Sequence, residues 1–156
     1  MNRSTNAGLA GANIHLGLLV IRVVTGIVFF MHGYQKLFDN GLDATKMGFE
    51  AMGAPVPAVT SVLVTFLELF GGLALIVGAL TPIVAGLLAI DMVAAMFIVH
   101  FENGFFAGVG GFELVLLLAA VAVGLVITGP GKFSVDETLN LPTVPGMSSA
   151  GELSRR

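Results

Sequence analysis

Four blocks of the chain, near residues 14–36, 58–79, 82–101 and 112–129, are predominantly apolar and each is about twenty residues long. A helix rises about 1.5 Å per residue, so such a block matches the ~30 Å hydrocarbon core of a bilayer. Hydrocarbon offers backbone N–H and C=O groups no partner, which leaves a helix as the structure for each block. Composition agrees: 56% of the 156 residues are hydrophobic and 11% charged, with a mean hydropathy of +0.96. A soluble domain needs more charge to cover its surface. The expected fold is therefore all-α, a four-helix transmembrane bundle in residues 14–131. A short cytoplasmic segment, 1–13, precedes it. A polar tail, 132–156, follows, with Pro142, Pro145 and several serines, and is expected to be disordered.

Punctuation between the blocks sets the connections. Leu80, Thr81 and Pro82 alone separate the second and third helices, which predicts an antiparallel hairpin with Thr81 as N-cap and Pro82 at the first helical position. Gly129 and Pro130 stop the fourth helix. The first loop, Phe38 to Pro57, is long enough for a short helix capped by Asp43 and running through Met52. That helix would lie on the membrane surface or fold over the bundle mouth as a lid. In the third loop, Gly104, Gly108, Gly110 and Gly111 permit tight backbone around Phe105 and Phe106, which would anchor it at the interface. Small residues such as Gly26, Gly72, Ala85 and Ala89 favour close helix packing within one bundle over dimerisation. Block 14–30 is long for a signal-peptide core and contains Arg22, so it is expected to be a permanent span.

Orientation follows the basic residues. Arg3, Lys132, Arg155 and Arg156 would share one side, Lys36 and Lys46 the other, which favours both termini in the cytoplasm. The chain has no cysteine. That excludes disulfides, a CxxC redox pair and thiolate-held metal or iron–sulfur clusters. The formal net charge of −3 excludes a basic nucleic-acid surface.

Charges inside apolar blocks are costly and usually serve a purpose. Counted from the nearer cytoplasmic end, Arg22, Glu68 and Asp91 each fall roughly 12–16 Å deep, near the expected midplane. An Arg22–carboxylate pair is expected. Two acids against one base leave excess negative charge, so one acid is expected to carry a proton, ready for proton handling or for a polar ligand head. The plain alternative is a network that only sets helix register. His32, Lys36, His100 and Glu113 lie closer to the outer face. Arg22, Phe29 and Lys36 fall nearly in line, with His32 close by, so one face of the first helix could run polar from midplane to surface. Lys36 and His100 also suit an ordinary interface. Motif spacing for a metal site is absent, and no metal is expected.

Together these residues resemble the DoxX family. The resemblance rests on Arg22, Gly26, Phe29, His32, Gly33, Lys36 and Leu37 in the first helix, and on Glu68, Gly71 and Gly72 in the second. Asp91, the run Gly110 to Glu113, and Gly129, Pro130, Gly131, Ser134 and Asp136 complete it. It covers about residues 14 to 138. It implies a multi-pass protein of the bacterial inner membrane, linked in some relatives to quinone-dependent thiosulfate oxidation and in others to oxidative-stress complexes with soluble redox enzymes. The function expected from residues and resemblance together is a quinone-interacting or redox-associated membrane subunit. Its candidate ligand-binding or proton-handling residues are Arg22, His32, Lys36, Glu68, Asp91, His100 and Glu113. Phe29 and Phe97 are expected ring contacts, a bound quinone the expected cofactor, and the bilayer, a soluble redox enzyme and further copies of the chain the expected partners. A non-catalytic anchor for such an enzyme and a small permease are the competing readings.

Overall fold

A computed structural model describes residues 3–139, and among them every regular element is helical. Helix α1 (Arg3–Tyr34) continues into a π-helical turn, Gln35–Asp39. Helix α2 (Leu42–Ala51) follows, then α3 (Pro57–Val77) and α4 (Thr81–Ala95). The latter passes through a second π-helical turn, Met96–His100, into a single 3₁₀ turn at Phe101–Asn103. Another 3₁₀ turn, Ala107–Val109, leads to α5 (Glu113–Thr128), and α6 (Val135–Thr138) closes the described chain. Three segments, Asn13–Asp39, Pro57–Val77 and Thr81–Asn103, are long and apolar enough to cross a membrane, while α5 has 16 residues. At 16 residues α5 spans about 24 Å, short of the ~30 Å core.

The four long helices form a ring, α1 on α3, α3 on α4, α4 on α5 and α5 back against α1. Glycine sets the closest seam. A methyl on Gly26 would come within 2.7 Å of the Gly72 carbonyl oxygen, and one on Gly33 would collide with the Leu69 backbone. Leu75, Leu88, Ala122 and Leu125 fill the core at the tail-side end. Small residues thus serve packing inside one bundle, as expected.

Four expectations, two about chain ends and two about caps, are corrected. Helix α1 begins at Arg3, so residues 3–13 extend the helix instead of preceding it. Residues 130–139 are not a disordered tail either: they fold back across the tail-side end of the bundle, while 140–156 lie outside the described residues. Thr81 does not cap α4. Leu80 holds that position in a left-handed conformation (φ 50°), and Asp136 accepts hydrogen bonds from Leu80 N–H at 2.6 Å and Thr81 N–H at 2.8 Å. The three-residue link Gly78–Leu80 puts leucine at the N-cap, which has no side-chain acceptor, so a carboxylate from 55 residues beyond Thr81 supplies the cap. Similarly, Gly41 stands at the N-cap of α2, and Asp43 lies inside its first turn, where it favours the helix dipole.

Candidate functional site

A cavity of ≈ 420 Å³ occupies the loop-side half of the bundle. That volume falls within the range of small-molecule pockets, about 300–1,000 Å³. Its wall is mostly apolar, with Phe29, Val64, Met92, Val115 and Leu118 among the lining residues, and besides the Thr60 hydroxyl five titratable side chains enter it: His32, Lys36, Glu68, Asp91 and His100. Each comes from a different turn of the bundle. His32 on α1 and Lys36 on the π-turn that continues it follow Phe29 down one stripe, Glu68 sits at the middle of α3, and Asp91 and His100 come from α4 and its π-turn.

The two π-helical turns both carry cavity residues, Lys36 in one and His100 in the other. A π-turn widens a helix locally and shifts the faces of the residues after it, which is why such turns recur at ligand sites. In the second turn the effect is visible, since Ile98, Val99 and His100 all face the cavity in succession.

Lys36 pairs with Glu68, which is buried among apolar neighbours. Asp91 lies within electrostatic reach of both, yet its Oδ2 is buried without a hydrogen-bond partner. Buried carboxyl oxygens without partners are uncommon, and this one stands as an open acceptor in the cavity wall. Both histidines are oriented by backbone. His32 Nδ1 lies 2.9 Å from the Val28 carbonyl and His100 Nδ1 2.7 Å from the Gly110 carbonyl. A carbonyl only accepts, so Nδ1 carries the proton in each ring and Nε2 is the nitrogen left for a ligand.

The first loop behaves as a lid. Phe49 and Met52 of α2, with Ala54 and Pro55 after it, line the cavity from the loop side, and Thr45 ties α2 to the π-turn through the Lys36 carbonyl at 2.9 Å. The third loop closes the remaining roof. Phe112 N–H donates to the Gly104 carbonyl at 3.0 Å, and Phe105 and Phe101 pack against the Phe112 ring at 5.5 and 5.7 Å. Phe106 projects outward, as an interfacial anchor does.

Three sequence expectations fail here. Arg22 does not pair with Glu68 or Asp91. It is 1% exposed at the tail-side end, where its guanidinium donates to the Pro130 carbonyl at 3.1 Å and the Phe133 carbonyl at 2.6 Å, beside Gly78 and Asp136. The depth count erred because α1 runs past the bundle: Gly26 sits level with Gly72 and Ile76, so Arg22 lies at the end of α3, not at its middle. Glu113 does not line the cavity; its carboxylate accepts the Ala107 N–H at 3.0 Å and holds the third loop. Phe97 packs against Phe101 at a tilt and does not line the cavity, leaving Phe29 and the lid residue Phe49 as its aromatic walls. The lid residues Phe49 and Met52 were missed, as was the role of Asp136. The sequence signals for them are faint: a short amphipathic segment between two apolar blocks, and one acidic residue shortly after a helix stop.

Among the described residues, no three of the histidines and carboxylates come close enough to hold a metal ion.

A family model described as DoxX matches residues 17–101. The chain belongs to the DoxX family. Its relatives include the Bacillus subtilis protein named "Putative oxidoreductase CatD", 31% identical over 124 residues that make up 80% of this chain and 87% of that protein. Inner membrane protein YqjF of Escherichia coli is 35% identical over 127 residues, 80% of this chain and 93% of that one. An uncharacterized membrane protein of Mycobacterium tuberculosis is 31% identical over 136 residues, 79% of this chain and 81% of its own. No solved structure matches the chain. With these relatives and its membrane-length helices, this DoxX protein is a multi-pass membrane protein. The family match ends near the loop-side end of α4, so Arg22, Gly26, Phe29, His32, Lys36, Glu68 and Asp91 lie inside it, and the Asp136 cap lies beyond.

Proposed function

We propose that this DoxX protein is a quinone-binding, redox-associated subunit of the bacterial inner membrane, with both termini in the cytoplasm. The observation that carries the reading is the unpartnered Asp91 carboxyl oxygen in a mostly apolar cavity that also holds the Lys36–Glu68 pair. A quinone ring needs an apolar slot, hydrogen-bond donors for its carbonyls, and acceptors for the hydroxyls of its reduced form. The donor set fits. Lys36 has three ammonium protons and needs one for Glu68, while Asp91 Oδ2 and the two histidine Nε2 atoms are available as acceptors. Phe29 offers a ring face to pack against.

A bound quinone would supply two-electron, two-proton redox capacity, which the side chains of this chain lack. The protein's share is to bind and orient the head, exclude water beneath the α2 lid, and hold protons at the Glu68 and Asp91 carboxyl oxygens. Electrons would come from a soluble redox enzyme docked on the membrane, a role consistent with "oxidoreductase" in the name of one relative. A purely structural anchor has no need of a polar-headed cavity of this size, which favours ligand binding.

Equilibrium binding of decylubiquinone to the protein in nanodiscs tests this. Glu68→Gln and Asp91→Asn should each weaken binding by about tenfold or more, the worth of one hydrogen bond to a charged group. Arg22→Lys, at the far end of the bundle, should leave affinity unchanged. Wild-type affinity in both carboxyl variants would sink the assignment.

A further inference from the structure

We infer that the cavity is entered sideways from the bilayer, through a slot between α1 and α5, and that its ligand therefore carries a long apolar tail that stays in the slot. This rests on the proposed head site and adds the class and path of the ligand.

The slot follows from how burial changes along two helix faces. On α1, Gly26, Phe30 and Gly33 face α3. His32 is about a third of a turn away from Gly26, on the side remote from α3. Thr25, on that same side two turns nearer the tail-side end, is 5% exposed, whereas His32 is exposed although it lines the cavity. On α5, Val126 faces α4 through Gly86. Leu114 is about a third of a turn round from it, on the side away from α4. Toward the tail-side end Leu118 and Leu125 are buried, yet Leu114 is 44% exposed while lining the cavity. Since α5 closes the ring against α1, the seam between them is shut at Thr25 and Leu125 and open from His32 to Leu114.

The depth of that opening identifies the phase outside it. Gly33, beside His32, meets Leu69, twelve residues into α3. That places His32 about 18 Å from the loop-side end of a helix about 31 Å long, well inside hydrocarbon. Toward the loop side the way is roofed by α2 and by the hydrogen-bonded third loop, and toward the tail side by the packed core under Phe29 and Met92. A molecule using this entrance is dissolved in lipid before it binds. Lys36, Glu68 and Asp91 lie deeper in the wall, with His32 at the inner edge of the opening and apolar Leu114 at its mouth, so the head goes in first and the tail trails past Leu114.

The absence of cysteine allows a clean test, because any introduced thiol is the only one. Ala95→Cys, on the cavity wall, reports the head, and Leu114→Cys reports the slot. Both are reconstituted in vesicles and labelled with an uncharged maleimide or a charged methanethiosulfonate. Leu114→Cys should react with the uncharged reagent and resist the charged one; the reverse would overturn lateral entry. Duroquinone, fully substituted and tailless, should protect Ala95→Cys and leave Leu114→Cys reactive, whereas decylubiquinone should protect both. Protection of Ala95→Cys by decylubiquinone with Leu114→Cys still labelled would refute the slot while keeping the head site. No protection of Ala95→Cys by either quinone would refute the head site itself. Should Leu114→Cys fail to insert, Ile98→Cys on the α4 wall serves as a counter-position. It lines the cavity from the side of α4 and is itself 41% exposed, so it marks the competing way out; on the α1–α5 route it should be protected no more by the tailed quinone than by the tailless one. Extra protection there by the tail would place the exit on α4 and overturn the α1–α5 route.

Discussion

Asp136 is the residue at which a single substitution best tests the folded-back C-terminal segment. Its two carboxylate oxygens take the N–H groups of Leu80 and Thr81 at 2.6 and 2.8 Å, its own N–H donates to the Gly78 carbonyl at 2.9 Å, and it is 4% exposed. The first N–H groups of α4 have no partner within their own helix. Losing one capping bond costs about 0.5–2 kcal/mol, and hydrogen bonds to charged groups about 1.5–3 kcal/mol each. Because both bonds share one carboxylate, and because water or lipid headgroups near the bundle end can replace part of the loss, Asp136→Ala is expected to destabilise by about 2–4 kcal/mol. Asp136→Asn keeps one carbonyl acceptor and should cost about half as much. Arg22, which lies within electrostatic reach of Asp136, would lose its countercharge in either variant. Unfolding in mixed micelles with increasing SDS, followed by circular dichroism, gives the difference directly. A change within about 0.5 kcal/mol for Asp136→Ala, the size typical of an uninvolved surface site, would refute the docked segment and the cap together.

Other positions separate packing from chemistry. Gly33→Ala would drive a methyl into the Leu69 backbone and should cost about 1–3 kcal/mol, while Gly17→Ala and Gly124→Ala, with open space around them, should be neutral or slightly stabilising in the same unfolding assay. Lys36→Met leaves Glu68 buried without its partner and should destabilise by about 3–5 kcal/mol; the double variant Lys36→Met/Glu68→Met should recover most of that stability and still bind no quinone. Arg22→Ala strips two carbonyls of their donor and opens the clasp at Pro130 and Phe133, so limited proteolysis should cut residues 130–139 faster in that variant than in wild type.

The membrane class, the helical blocks and the α3–α4 hairpin were legible from residue order, because the bilayer imposes length and apolarity on each span separately. The site was legible in part. Glu68, Asp91, Lys36, His32 and His100 stand out as polar residues in or beside apolar blocks, and all five enter one cavity. Arg22 stands out for the same reason and belongs elsewhere. Counting from block ends assumed that every apolar block begins at the same membrane surface, whereas α1 starts outside the bundle and only its later turns pack on α3. Glu113 was misread on similar grounds, since its local bond to Ala107 depends on a 3₁₀ turn that no periodicity reports.

Hydropathy therefore determined that this chain crosses a membrane as helices and that charged residues in those helices have work to do. Only the tertiary structure decided which charges meet. Pairing depends on the axial offset between helices, and glycine contacts such as Gly26 against Gly72 set that offset across segments distant in sequence. The same offset sent Arg22 to a clasp of carbonyls, brought Lys36 to Glu68, and left Asp91 with a carboxyl oxygen free for a ligand.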